Sequence, residues 1–316
     1  MAHMHHSLRR RACVLLGIFF QFTNGGSFLL NLPQKCARSN QHHVKEPRGM
    51  LKSYLDVNDL VPVENHSFSW AEPRSEEEIA IFCSKTLFPD IDVDVATKRI
   101  KVISTDLPLV VIENMISDEM CEEIIQAAQA HGKMRRSTVG DSQEKAEIRT
   151  SSTTWLRESH CETPLRVLAG KASRLSRIPA KHMENLQVVR YEPGQKFDMH
   201  TDQLDAFNAL DCRGRLATCL LYLNSSRLGD PEEGDFDGGE THFPEYNISV
   251  VPKRGRAVFW FNTIEKPGQQ DFTSDMALTA DLKSRHAGKA VINGEKWVCN
   301  RWIHPVPLVD GVRDDR

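Results

Sequence analysis

The chain has 316 residues, of which 40% are hydrophobic and 26% charged, with 18 Gly and 15 Pro. That balance excludes a disordered chain, a collagen and a polytopic membrane protein. A net charge of -3 lacks the basic surplus expected of a nucleic-acid binder, so no nucleic-acid partner is expected.

Residues 1–26 predict a secretory signal sequence or a weak anchor. Arg9, Arg10 and Arg11 precede the apolar run 12–20, and the small residues Gly25, Gly26 and Ser27 follow it. The run is shorter than the roughly 18 residues a spanning helix needs, so membrane contact is expected only if it is retained as an anchor. The expected compartment is the secretory pathway, in the endoplasmic reticulum lumen or Golgi. Asn65, Asn224 and Asn247 each open an Asn-x-Ser triplet compatible with a glycoprotein. None of the eight Cys forms a Cys-x-x-Cys pair, and Cys121, Cys219 and Cys299 lie in apolar patterns that predict buried free thiols.

Residues 27–104 are mixed and aperiodic and predict a linker. A domain is expected over 105–308, with a tail at 309–316. Within it, 108–112 reads as an apolar strand. Ser117 is a candidate N-cap, with Asp118 and Glu119 in the first turn of a helix ending near Gly132. Residues 133–149 are polar and predict a loop. Leu165, Leu168, Ala172 and Leu175 mark a second helix over 164–176. Strands are then predicted at 186–191, 216–223, 248–251, 256–261 and 297–304. The expected fold class is mainly β with flanking helices (α+β), as a sandwich or jelly roll.

The segment from Arg190 to Asp202 carries the chemistry. On a strand, residues two apart share a face, so His200 and Asp202 can grip one metal ion. With a distant second His they would form the 2-His-1-carboxylate facial triad of non-haem Fe(II) oxygenases, which leaves coordination positions open. His-x-Asp alone is weak, because a lone His is more often a surface residue or a satisfied core residue. His286 is the chosen third ligand, since Ala287 and Gly288 leave room beside it. Lys296 follows a turn at Asn293 and Gly294, where a hairpin would return the Lys strand beside the His strand. A buried ammonium needs a partner, and the distal carboxylate of 2-oxoglutarate is one. By spacing alone, Lys296 reads equally well as a solvated strand lysine.

Several motifs stand in one order: Arg149-Thr150-Ser151-Ser152, the stretch from Tyr191 to Asp202, that from Arg215 to Asn224, Gly238 to Pro244, Gly255 to Phe261, and His286 to His304. Together they resemble the prolyl 4-hydroxylases, both the plant and algal type and the catalytic domain of the collagen type, from Pro108 to His304. The resemblance implies a double-stranded β-helix, a cupin-like jelly roll of eight strands. It implies His200, Asp202 and His286 as Fe(II) ligands and Lys296 as the 2-oxoglutarate anchor. It places Tyr191, Thr241 and Trp302 in the co-substrate pocket, and ties Arg149, Glu184, Arg215 and His304 to substrate binding. The implied reaction uses O2, with ascorbate in support, and converts prolyl residues of a proline-containing peptide or protein to 4-hydroxyproline with release of succinate and CO2. The same motifs fit hydroxylation of a lysyl residue or a small molecule, and less well a non-catalytic binding module. Two departures from the family pattern stand out: Lys289-Ala290 where Cys-Pro is frequent, and Phe197 where a second Tyr is frequent. The acidic loop 228–237 is expected to border the peptide groove, and an acidic rim there would favour basic peptides.

Overall fold

The computed structural model describes residues 68–137, 148–203, 214–264 and 278–308. In chain order the elements are helices α1 (Glu76–Leu87) and α2 (Val93–Thr97), strands β1 (Ile100–Ser104) and β2 (Leu109–Ile112), helix α3 (Asp118–Ala130), strands β3 (Arg135–Arg136) and β4 (Ser152–Leu156), and helix α4 (Glu162–Ser176). Ten strands follow: β5 (Leu186–Tyr191), β6 (Phe197–His200), β7 (Ala217–Tyr222), β8 (Asp237–Gly238), β9 (Thr241–Phe243), β10 (Ile248–Val250), β11 (Ala257–Phe261), β12 (His286–Gly288), β13 (Val291–Asn293) and β14 (Lys296–Ile303). The predicted signal segment, Asn65 and the tail lie outside the described residues.

The large sheet runs β1-β2-β11-β7-β14-β5-β4-β3, the small sheet β10-β9-β12-β6, and β13 pairs with β8 in a two-stranded ribbon. The large and small sheets form a double-stranded β-helix. The large sheet alone has eight strands, because β1 to β4 extend it.

Strands buried on both faces read as continuous apolar runs, and β7 and β11 are buried along their whole length. Alternation then divides their side chains. Leu109, Val111, Leu220, Tyr222, Val258, Trp260 and Val298 join Phe243 and Val250 of the small sheet in one core. Val110, Ile112, Cys219, Leu221, Phe259, Phe261 and Cys299 face the other way and pack with α1, α3 and α4. Cys121, Cys219 and Cys299 are free and buried, as expected. Burial pushes the first two thiols up to about 12, which leaves them unreactive.

Three expectations need correction. The linker does not extend to 104: α1 opens on a Ser75 capping box, and β1 pairs with β2 in the large sheet. Trp70, Ile79, Phe82 and Leu87 are buried in the helix-side core, and Trp70 Nε1 donates to the Leu175 carbonyl at 2.8 Å. These contacts are made to residues distant in sequence, so no local period announces them. The polar loop after α3 contains the edge strand β3, paired with β4. The third correction concerns the turn after β13. Gly294 holds φ +76, and a Cβ there would stand 2.4 Å from the Asp235 carbonyl oxygen. The turn carries the chain from the ribbon into the large sheet, where β14 pairs with β5 and β7. Lys296 therefore does not lie on a strand beside His286, whose strand pairs with β6 and β9.

Asn224 is buried, with Nδ2 donating to the Glu295 carbonyl and Oδ1 accepting from Trp297 N, both at 2.8 Å. Asn247 is exposed, at φ 49 in the turn between β9 and β10. Among the described residues, no helix is long and apolar enough to cross a membrane.

Candidate metal and co-substrate site

His200 and His286 stand directly opposite each other on the paired strands β6 and β12. Asp202 follows β6 by two residues. The three side chains each bring a ligand atom within 4.8 Å of the other two, and this is the one such cluster among the described residues. His200 Nε2 and His286 Nε2 lie 3.6 and 3.9 Å from Asp202 Oδ1.

Each imidazole is held from behind. His200 Nδ1 donates to the Asp198 carbonyl at 2.7 Å, and His286 Nδ1 donates to the Ser284 carbonyl at 2.9 Å. A carbonyl only accepts, so each Nδ1 carries a proton, and Nε2 is the ring atom each His turns toward Asp202. Phe197 stacks on His200 with centroids 3.5 Å apart, while Trp260 meets His286 edge-on at 4.8 Å. Burial lowers His286 to about 4, with His200 adding to the effect, so the ring is neutral at ordinary pH. Burial alone would raise Asp202, but His286, His200 and Arg215 outweigh it and hold the carboxyl well below its usual range. Its Oδ2 accepts from Thr218 Oγ1 at 2.7 Å and from Trp302 Nε1 at 3.1 Å. That leaves Oδ1 facing the two imidazoles. Two imidazoles and a carboxylate on one side are the donor set of a facial-triad Fe(II) site.

Lys296 points into the core between Tyr191 and Tyr222, with Nζ 5.2 and 5.5 Å from the two ring centroids. Its ammonium donates to the Gly239 carbonyl at 2.7 Å, and among the described residues no carboxylate pairs with it. Gly239 is a required glycine, because a Cβ at its φ of +74 would meet Lys296 Cδ at 3.0 Å. Tyr222 donates its hydroxyl to Thr241 Oγ1 at 2.7 Å, which leaves the Thr241 proton available to another acceptor. A buried amine with no direct ion pair among the described residues, and with tyrosine and threonine beside it, suits a dicarboxylate co-substrate.

The family model of the 2OG-Fe(II) oxygenase superfamily matches residues 186–304. Prolyl 4-hydroxylase 5 of Arabidopsis thaliana is 34% identical over 225 residues, covering 65% of this chain and 71% of that protein. The chain belongs to the prolyl 4-hydroxylase family. Probable prolyl 4-hydroxylase 3 of Arabidopsis thaliana is 35% identical over 224 residues, with the same coverage. Prolyl 4-hydroxylase subunit alpha-1 of Gallus gallus is 32% identical over 201 residues, 60% of this chain and 34% of that one. The solved viral collagen prolyl hydroxylase of Paramecium Bursaria Chlorella virus-1, as its 2OG complex, aligns at TM-score 0.47 and 28% identity over 63% of this chain and 96% of that one. Fe(II) and 2-oxoglutarate are the metal and co-substrate of this oxygenase family, and the donor set and the buried amine described above fit them.

The remaining candidate residues divide into two groups. Arg149 is buried, donates to Gln187 Oε1 at 3.0 Å, and lies over the Phe197 ring at 4.8 Å. Burial raises the neighbouring Tyr191 hydroxyl, an effect that Arg149 opposes. Glu184, Arg215 and His304 form one buried network. Arg215 Nε and Nη2 donate to the two Glu184 oxygens at 2.7 and 3.0 Å, and His304 Nε2 lies 2.7 Å from Oε1. Arg215 also covers the Trp302 ring at 3.3 Å, so this network backs the indole that holds Asp202.

The acidic loop is partly paired, with Glu232 and Glu233 exposed at its tip. Asp237 pairs with Arg227 at 2.8 Å and Asp235 with Arg254 at 3.7 Å, and the loop packs on the turn at Gly294. Sequence reasoning missed Thr218, Tyr222 and Asn262. Thr218 had a legible signal, because a hydroxyl on the core-facing register of an apolar strand needs a partner.

Proposed function

We propose that this prolyl 4-hydroxylase family member hydroxylates peptidyl proline at C4, with His200, Asp202 and His286 as the Fe(II) ligands. The observation that supports it best is the placing of three convergent ligand atoms in the same barrel as a buried, carboxylate-free Lys296. Bound there, Fe(II) would supply the oxidising chemistry with 2-oxoglutarate and O2, and succinate and CO2 would be the co-products.

The chain's own residues bind and orient. Lys296 would donate to the distal carboxylate of 2-oxoglutarate, with Thr241 and Tyr191 on the same pocket wall. Trp302 and Thr218 fix the Asp202 carboxylate. Arg149 lies on the substrate side behind Phe197, while Glu184, Arg215 and His304 influence substrate binding through Trp302. The aromatic rings of Phe197, Trp260 and Phe243 around the two imidazoles exclude water. Ascorbate would be the external reductant that such a site draws on.

The test is succinate release from 2-oxoglutarate with Fe(II) and proline-rich peptides. Release that depends on the peptide supports the reading, and equal release with proline-free peptides contradicts it.

We also place the protein in the secretory pathway, on the strength of the basic-then-apolar leader. Exposed Asn247 is then the glycan acceptor among the described sequons, since the Asn224 amide is spent inside the fold. Peptide mapping of secreted protein should find a glycan at Asn247 and none at Asn224. A glycan on Asn224, or a bare Asn247, contradicts this.

A further inference from the structure

Asn262 follows β11 and is fully buried. Its side-chain Nδ2 donates to Thr218 Oγ1 at 2.9 Å. The Asp202 carboxylate can only accept, so the Thr218 hydroxyl must spend its single proton on Asp202 Oδ2. The oxygen of that hydroxyl is then an acceptor, and the Asn262 amide group fills it. The direction of the relay from Asn262 through Thr218 to Asp202 is therefore fixed by proton count. Trp302, directly opposite Thr218 on the neighbouring strand, supplies the second bond to Oδ2.

The main chain of Asn262 meets the turn that precedes a second ligand. Its carbonyl accepts from Asp281 N at 2.9 Å, and the Asp281 carbonyl in turn accepts the Ser284 hydroxyl proton at 2.6 Å. The Ser284 carbonyl is the group that orients His286 through Nδ1. Asn262 is thus bonded to Asp202 through Thr218, and to the turn that carries Ser284 through Asp281.

The amide does this at a cost, since Asn262 Oδ1 is buried and makes no hydrogen bond among the described residues. A buried unsatisfied oxygen calls for a compensating role, and the donor on the same amide provides one.

We propose that Asn262 is a positioning residue for the metal centre. Through Thr218 it ties down Asp202 Oδ2, so that Asp202 offers the metal one oxygen and a coordination position stays open. The proposal rests on the reading of His200, Asp202 and His286 as metal ligands, and its test separates the two.

The experiment is Co(II) titration of the metal-free full-length chain, followed by the ligand-field spectrum, with thermal melts alongside. Thr218→Val should weaken Co(II) binding by about 10- to 100-fold, the usual loss when a partner behind a ligand is removed. Thr218→Ser, which keeps the hydroxyl, should restore binding to near the parent. Asn262→Leu should weaken binding by about tenfold and alter the Co(II) spectrum, with a melting temperature equal to or above the parent. The double variant should bind no more weakly than Thr218→Val, because Asn262 acts through Thr218.

A merely structural Asn262 would lower the melting temperature and leave Co(II) affinity unchanged, which overturns the proposal. Equal losses in Thr218→Val and Thr218→Ser also overturn it. Should Asn262→Leu fail to fold, the Thr218→Val and Thr218→Ser comparison decides. Asp202→Ala is the control. If it keeps the parent's Co(II) affinity, the ligand reading fails. If it loses binding while Thr218→Val and Asn262→Leu match the parent, only the positioning role fails.

Discussion

Burial holds the Lys296 ammonium at about 7, and Glu240 offsets only part of that effect. A co-substrate carboxylate needs the charged form, so the sign of the pH dependence follows. Below about pH 7 the free site is already protonated, and 2-oxoglutarate binding takes up no proton. Above it, binding must take up a proton, and affinity should fall by up to about tenfold per pH unit. Lys296→Arg, whose guanidinium stays charged, should lose that slope even where the fit is poorer. Lys296→Ala removes a charge-assisted bond of about 1.5–3 kcal/mol, so the 2-oxoglutarate KM should rise about 10- to 100-fold. A KM profile flat from pH 6 to 9 in the parent, or unchanged in Lys296→Ala, contradicts the anchor assignment.

At the scale of elements, the network of Glu184, Arg215 and His304 links the segment before β5, the start of β7 and the end of β14. Burial opposes the Glu184 charge, but Arg215 and His304 outweigh it and bring the carboxyl down to about 2. A lowered carboxyl adds stability that is complete above the unfolded value near 4.5 and is lost as pH falls toward 2. The contribution is on the order of 3 kcal/mol. Thermal melts across that window should fall more steeply for the parent than for Glu184→Gln, and parallel curves contradict the network's role. The same elements show what the sequence revealed. Long apolar strands such as β7 and β11 were legible because they are buried on both faces. Strands β3, β8, β9, β12 and β13 have two or three residues each, too few for alternation to register. His200 and Asp202 were legible from their spacing, and His286 from its small neighbours and the ordered motifs around it. The route to Lys296 was not, because whether β13 turns back as a hairpin or crosses to the other sheet depends on distant packing against Asp235 and Phe236.

At the scale of the whole molecule, the barrel is enclosed on its outer face by residues that looked like a linker. Trp70 meets Phe82 and Phe261 edge-on, each at 5.5 Å, and it also lies 5.9 Å from Phe259. Composition alone could not show this, since an aromatic in an aperiodic stretch carries no sign of its partner. A chain beginning at residue 105 would expose the pockets of Trp70, Ile79, Phe82 and Leu87, at about 1.5–3 kcal/mol for each side chain. The summed loss is comparable to the whole stability of an ordinary domain. The shortened chain should therefore melt far below one beginning at 68, or fail to stay soluble, and equal melting temperatures contradict the enclosure.

Fragment mass spectrometry of a proline-rich peptide, after incubation with the protein, Fe(II) and 2-oxoglutarate, bears most directly on the function of the barrel. One added oxygen should appear on the prolyl ring with the parent and be absent with His200→Ala. An unmodified peptide with the fully loaded parent, or an oxygen still added by His200→Ala, contradicts the assignment.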